Sequence, residues 1–257
     1  MDAETAWKKA GEHILNKGYV VSPRGESTLE DMGSIVKISG RLPIVTNLYR
    51  KLNYQFMFAE AAWILTGDNR ASTLTPYIKS YDKYAVPETD RIAWAYGPKY
   101  VDQLPYVIDS LRQDITTRRA LISIWRESSK FDPSCTISLH FLHRFNELQL
   151  IVHMRSSDVW MGLPYDMFSF GMVLAHVAIT MRLKIGQVTI MAGSQHLYKG
   201  NLQHMELALR PGVNREYTPM CLNDFNTPDE LVCHLVHLRN AQSDRLKSKT
   251  FSEMIQA

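Results

Sequence analysis

TISLHFLHRFNELQLIVHMR, residues 136–155, alternates apolar and polar side chains in two runs, 136–144 and 147–155, around Asn146. A period of two on both sides of a turn residue predicts an antiparallel hairpin with one buried face. The pattern then changes. DMFSFGMVLAHVAITMRL, residues 166–183, is apolar on nearly every side and predicts a long buried helix. A strand near 187–192, a polar turn at 193–196 and a weaker helical tail are expected after it. Before the hairpin, residues 120–125 read as a strand and 104–116 as a helix. Residues 70–100 are aromatic and irregular, which suggests loops over a site. Residues 50–66 form a helix with an apolar face (Leu52, Phe56, Ala59, Trp63) that stops at Gly67-Asp68-Asn69. Turn signals at Pro23-Arg24-Gly25 and Ser39-Gly40 divide short β-type runs over 17–45, and 4–16 reads as an amphipathic helix. No repeat or linker interrupts this order, so residues 1–257 are read as a single domain. Strands and helices mix without a βαβ rhythm. The fold class is therefore α+β with a mixed or largely antiparallel sheet and packed helices.

Composition narrows the function. The 257 residues are 45% hydrophobic and 21% charged, within the globular range. A net charge of +3 gives no global footprint for nucleic acid or an acidic membrane, so neither is expected as a partner. Three scattered cysteines (Cys135, Cys221, Cys233) make no disulfide framework and point to a reducing, cytoplasmic setting. MDAETAWKKAGEH carries mixed charge and does not read as a signal peptide. The uncharged stretch Met167–Met181 is too short and too polar to be read as a membrane span.

Several residues bear chemistry. Cys135 follows a proline turn (Asp132-Pro133-Ser134) at the mouth of a strand. A lone cysteine is commonly a core residue, but Arg155 ends the facing hairpin arm and could approach it as an activating cation. Arg118-Arg119, Arg24 and Arg155-Ser156-Ser157 are three guanidinium sites suited to a phosphate dianion. Glu60 falls near the apolar face of its helix, where a carboxylate is costly unless paired or functional. Asp158 and Asp166 bracket Val159-Trp160-Met161-Gly162-Leu163-Pro164-Tyr165, and Asp166 could simply cap the helix it precedes. His196 and Tyr198 follow Gly193-Ser194-Gln195 at a strand end. HFLH at 140–143 and CHLVH at 233–237 lack companions at zinc spacing, so no metal is assigned. No GxGxxG or GxxxxGK[ST] is present to support a dinucleotide or P-loop site.

In order along the chain, these segments resemble the thymidylate synthase family. Arg155-Ser156 with Asp158 to Asp166 is similar to its R-S-x-D-x-x-x-G-x-P-[FY]-N signature. Pro133-Ser134-Cys135 resembles the nucleophile turn, and Glu60-Ala-Ala-Trp63 with Gly67-Asp68-Asn69 resembles E-L-x-W-x-x-x-G-x-x-N. Tyr96-Gly97, Thr117-Arg118-Arg119 and Gly193-Ser-Gln-His196-Leu-Tyr198 resemble the Y-G loop, the S-R-R pair and G-D-x-H-x-Y. The similarity runs from about Arg24 to Asn201, and the last fifty or so residues match poorly. The resemblance implies a thymidylate synthase-like fold with a sheet face at a homodimer interface. It implies that Cys135 adds to C6 of a pyrimidine nucleotide, so that C5 attacks the one-carbon unit of the co-substrate methylenetetrahydrofolate. By the same resemblance Arg24, Arg155 and Ser156 bind the 5′-phosphate, with Arg118 and Arg119 reaching in from the neighbouring subunit and Ser157 at the nucleotide site. Glu60 organises water and proton transfer, Tyr96 helps remove the C5 proton, and His196 and Tyr198 hold the sugar. Ser169 matches a nucleotide-site serine. Asp158 faces the pterin, with Asn53, Tyr81, Tyr84 and Gly162 as further folate contacts.

Departures from the pattern bear on activity. Asp166 stands where the synthases have Asn. A carboxyl group can accept from the 4-amino group of cytosine and, when protonated, donate to N3, so cytosine is expected over uracil. In this Asp166 resembles the deoxycytidylate hydroxymethylases of phages. Tyr81 and Tyr84 lie near the places of a tryptophan pair, and Asn53 stands in the place of a folate-contacting His. Met154 replaces a Gln, Ser194 replaces an Asp, and Met254–Ala257 lacks the usual closing sequence. These changes suggest capture by water in place of hydride. The expected reaction turns dCMP into its 5-hydroxymethyl derivative. Alternatives are a thymidylate or 5-methyl-dCMP synthase, a CMP hydroxymethylase, and a silent nucleotide- or RNA-binding homologue.

Overall fold

The computed structural model describes residues 1–127, 133–211 and 225–240. Asp132, Cys221 and the terminal Met254–Ala257 lie outside the described residues. Helix α1 (Ala3–Lys17) leads into a short strand β1 (Tyr19–Val21) and the long strand β2 (Thr28–Ser39). Helices α2 (Tyr54–Leu65) and α3 (Tyr96–Gln113) follow, separated by 3-10 turns at Ala71–Thr73 and Lys79–Tyr84. Strands β3 (Leu121–Ser123), β4 (Thr136–Arg144) and β5 (Glu147–Asp158) precede helix α4 (Leu163–Met181) and strand β6 (Ile185–Tyr198). Helices α5 (Leu202–Ala208) and α6 (Pro228–Asn240) complete the described chain.

One six-stranded sheet has the order β1-β2-β6-β5-β4-β3. Every neighbouring pair is antiparallel except β5 and β6, which run parallel because α4 carries the chain back between them. The mixed α+β class is therefore as expected, with one βαβ unit that the sequence rhythm had not suggested. The hairpin turns through Phe145 and Asn146, both at positive φ (57° and 61°), the backbone twist that a two-residue turn needs. Residues 193–196, expected as a turn, lie inside β6. Met32, Asp31 and Glu30 of β2 pair with Ser194, Gln195 and His196 from one side, and Ser156, Ser157 and Asp158 of β5 from the other. Backbone bonding to two strands outweighs the turn propensity of Gly193-Ser194.

The helices bury the sheet face that carries Val36, Ile38, Leu150, Val152, Val188 and Ile190. Helix α4 is long and apolar enough to cross a bilayer by those criteria, but here it is buried within the fold against α2, β5 and β6. The opposite sheet face keeps Ile35 54% exposed and carries the cross-strand row Lys37, Thr189, Ile151, His140, Leu121. Close packing of α2 on α3 depends on Gly97. A Cβ there would come within 2.8 Å of the Asp68 carbonyl oxygen and 2.9 Å of that of Trp63, so only glycine can follow Tyr96.

Candidate active site

The C-terminal ends of β5 and β6 open into a cleft of about 1070 Å3. Cys135 lies on its wall, immediately before β4. The Arg155 backbone N–H donates to the Cys135 carbonyl at 2.8 Å. The Arg155 side chain holds the same turn, its Nε donating to the Ser134 carbonyl at 3.2 Å and Nη2 to that of Pro133 at 2.8 Å. Arg155 thus meets Cys135 across the hairpin through its backbone, and its guanidinium anchors the turn that carries this residue. Ser134 Oγ donates to the Trp94 carbonyl at 2.9 Å and fixes the turn from the other side.

Carboxyl groups face the same space. Glu60, on α2, accepts a 2.9 Å hydrogen bond from the Tyr81 hydroxyl and a long 3.5 Å one from Ser169 Oγ on α4. Burial pushes Glu60 up to about 7, against the downward pull of those two donors. Asp166 does not cap α4: Gly162 occupies the N-cap, and the helix begins at Leu163 with Pro164 in its first turn. Asp166 therefore projects from within the first turn. Burial holds its carboxyl well above the usual carboxylate range, and the charges of Glu60 and Asp158 add to that. Asp158, at the end of β5, is also raised by burial. Its Oδ1 accepts from the Trp160 and Met161 backbone N–H groups, both at 2.8 Å, and these pull the other way. Tyr96 opens α3 and its hydroxyl accepts from the Thr136 N–H at 3.4 Å. Burial pushes the phenol far up, with the charges of Asp166 and Cys135 contributing, so it stays protonated.

Arg24 lines the cleft from a turn between β1 and β2. Its φ of 55° and ψ of 26° put a non-glycine residue in the left-handed region, at a cost of roughly 1–2 kcal/mol. Ser156 Oγ lies 3.4 Å from His196 Nδ1, and the His196 and Tyr198 rings meet edge-on. Ser157, Ser169, Gly162, Tyr84, Met154 and Ser194 also line the space. Three expected residues do not. Asn53 N-caps α2, accepting from the Phe56 N–H at 3.0 Å and donating to the Tyr77 carbonyl at 2.9 Å. Its own N–H reaches the Tyr165 hydroxyl at 3.1 Å, so it supports a cleft-lining side chain. Arg118 and Arg119 are exposed between α3 and β3, outside their own chain's cleft.

The structure adds residues that had no assigned part. Arg50 donates from Nε to the Trp160 carbonyl at 2.7 Å and lies over the Trp160 and Tyr165 rings, 5.0 and 5.7 Å from their centroids. Trp94 completes an aromatic wall with Tyr81 and Tyr84. No sequence signal marked Arg50, which sits in an irregular segment far from Trp160 along the chain.

A thiol, the carboxyl groups of Glu60, Asp158 and Asp166, and three guanidinium groups lining one cleft fit covalent chemistry with proton transfer on an anionic substrate. A protein-family model described as thymidylate synthase matches residues 5–243, wider at both ends than the quoted motifs. That span runs from α1 to just beyond α6, and the chain belongs to the thymidylate synthase family.

Proposed function

We propose that this chain hydroxymethylates a cytosine nucleotide, dCMP, at C5. The family itself carries the coarser statement: a homodimeric enzyme that binds a nucleotide and a folate and transfers a one-carbon unit to a pyrimidine. The finer reading rests on Asp166. Its carboxyl is held towards the protonated state in the cleft that also contains Cys135.

A protonated carboxyl offers one donor and one acceptor, as an amide does, so counting hydrogen bonds alone would admit either base. Basicity makes the difference. The N3 of cytosine is a proton acceptor, and that of uracil already carries its proton. Asp166 can hand its proton to cytosine N3 while accepting from the 4-amino group. The ring then becomes electron-poor at C6 as Cys135 Sγ bonds there. An asparagine in the same place has no proton to give. Arg24, Arg155 and Ser156 would hold the phosphate, and His196 and Tyr198 the sugar.

The co-substrate also fits what is present. The cleft volume lies just above the roughly 300–1,000 Å3 usual for one small ligand. Tyr81, Tyr84 and Trp94 give a flat ring an aromatic wall, and Asp158 keeps one carboxylate oxygen beyond its backbone bonds for a pterin N–H. Methylenetetrahydrofolate supplies a one-carbon unit at the oxidation level of formaldehyde. Glu60, which burial places near 7, would take a proton from water at the step that forms the hydroxymethyl group.

The test is Asp166→Asn with dCMP, CMP and dUMP, products identified by mass. The wild type should convert dCMP to the hydroxymethyl nucleotide and leave the folate as tetrahydrofolate. The variant should lose on the order of 100-fold in kcat/KM on dCMP, because an amide has no proton to hand to cytosine N3, and so shift its preference towards dUMP. Wild-type preference for dUMP, or formation of dihydrofolate and a methylated base, would sink the reading.

A further inference from the structure

Glu60 can direct a water molecule only if its own orientation is fixed, and the shorter of its two side-chain hydrogen bonds comes from Tyr81. Tyr81 lies in the 3-10 turn Lys79–Tyr84 with its ring caged by Phe56, Tyr84 and Trp94, at centroid distances of 5.3, 5.5 and 6.3 Å. With the ring held there, the hydroxyl donates to Glu60 Oε1 at 2.9 Å. Burial and the neighbouring carboxyl hold the phenol well above its ordinary pKa, so it acts as a donor and never as a base. A carboxylate has about four acceptor positions. Tyr81 takes one and Ser169 another, which leaves lone pairs for water in the cleft that Glu60 lines.

We propose that Tyr81 is a positioning residue that selects the hydroxymethyl product by aiming Glu60 at the attacking water. The inference rests on the hydroxymethylase reading above. After the one-carbon unit is on C5 and the folate has left, the nucleotide carries an exocyclic methylene at C5 and the Cys135 sulfur at C6. The water oxygen bonds to the methylene carbon as its proton passes to the Glu60 carboxylate. The electron pair of the exocyclic double bond moves into the ring. It then returns as the C5–C6 double bond while the C6–S bond breaks and Cys135 leaves as thiolate. No electrons enter or leave the system, and water is the only co-reactant. Tyr81 stays outside the bonds that change, and its hydroxyl keeps the base pointed at the methylene carbon.

The experiment uses the full-length chain with methylenetetrahydrofolate and dCMP tritiated at C5. Over a single turnover, with the protein in excess of dCMP, it measures tritium released to water, hydroxymethyl nucleotide formed, and the intact-protein mass. Tyr81→Phe keeps the ring and removes the hydroxyl. The expected result is a drop of about 10-fold or more in product formed per tritium released. An adduct heavier than dCMP by one carbon atom should build up on Cys135. Tyr81→Trp keeps the bulk without the hydroxyl and serves as a second variant should the first fold poorly; the same drop is expected. A product-to-tritium ratio within about twofold of wild type in either folded variant overturns the proposal. So does a fall in tritium release in step with product, which would place Tyr81 before the hydration step. Wild-type protein that releases dihydrofolate defeats the parent reading instead, before any variant is made.

Discussion

At the scale of single residues, Glu60 shows a conflict between stability and activity. Its ordinary carboxyl pKa of 4.5 rises to about 7 in the fold because ionising it leaves a charge in a poorly solvated place. Between those two values the unfolded chain has lost its proton while the native chain keeps it. Glu60 therefore gives its full contribution to stability below about pH 4.5, loses it as pH climbs towards 7, and contributes no further change above that. In the proposed reaction activity runs the other way, since only ionised Glu60 can accept a proton from water. Glu60→Gln keeps an acceptor for the Tyr81 hydroxyl and removes the charge. It should stabilise the protein at pH 8 by on the order of 1–3 kcal/mol in denaturant titrations, and cut hydroxymethylation at least about 100-fold. The gain should vanish near pH 4, where both carboxyls are neutral. A variant no more stable than wild type at pH 8 would show that Glu60 is not held in a costly state. A residual decline with pH should persist in the variant, because Asp166 is raised for the same reason.

At the scale of elements, the segment between β5 and α4 holds Asp158, Gly162 and Asp166 in place, and Arg50 ties it down. Arg50 bonds the Trp160 carbonyl at 2.7 Å and covers two aromatic faces, and burial lowers its pKa. Trp7 Nε1 reaches the adjacent Val159 carbonyl at 2.7 Å, so α1 holds the same segment from the core side. Arg50→Met, which keeps the stem and loses the fork, should leave the Trp160 carbonyl without its donor at a cost of about 1–3 kcal/mol. Amide exchange at residues 159–163 should accelerate, and kcat should fall roughly 10- to 100-fold as Asp158 and Asp166 lose registry. Arg50→Lys should rescue little, because an ammonium neither stacks nor matches this geometry. Unchanged exchange in that segment would show that it holds itself. Such a tie shows the limit of what the sequence made legible. The hairpin, the buried helix and the Cys135–Arg155 approach rest on local periodicity and on a register that one turn sets, and all could be read. The extension of β6 through His196 depends on two partner strands, and Arg50 meets Trp160 only after the sheet has closed. Neither leaves a periodic trace. Asn53 looked like a ligand contact because its position in the family pattern was legible and its N-cap bond was not.

At the scale of the whole molecule, each cleft lacks the guanidinium pair that the family pattern assigns to phosphate. Arg118 and Arg119 are exposed between α3 and β3, near the outer sheet face, where the row from Lys37 to Leu121 has no helix over it among the described residues. A two-fold pairing of that face would bury Ile35 and Leu121, and we propose that it brings each arginine pair to the other subunit's cleft, as the family resemblance implies. The arrangement predicts complementation. Arg119→Ala should impair both sites of its homodimer, and Cys135→Ser should silence both sites of its own. In a mixed dimer, the chain that keeps Cys135 receives Arg119 from its partner, so one intact site returns. Random mixing then restores about a quarter of wild-type activity, since about half the dimers are mixed and each has one working site of two. The measurement is dCMP turnover after co-refolding equal amounts of the two variants, with each alone as control. Activity no higher than the mean of the controls would mean that Arg119 serves its own chain or none. An Ile35→Lys change on the outer face should separate the subunits by sedimentation and abolish the rescue, because the proposed reach of the arginines to phosphate needs a paired sheet.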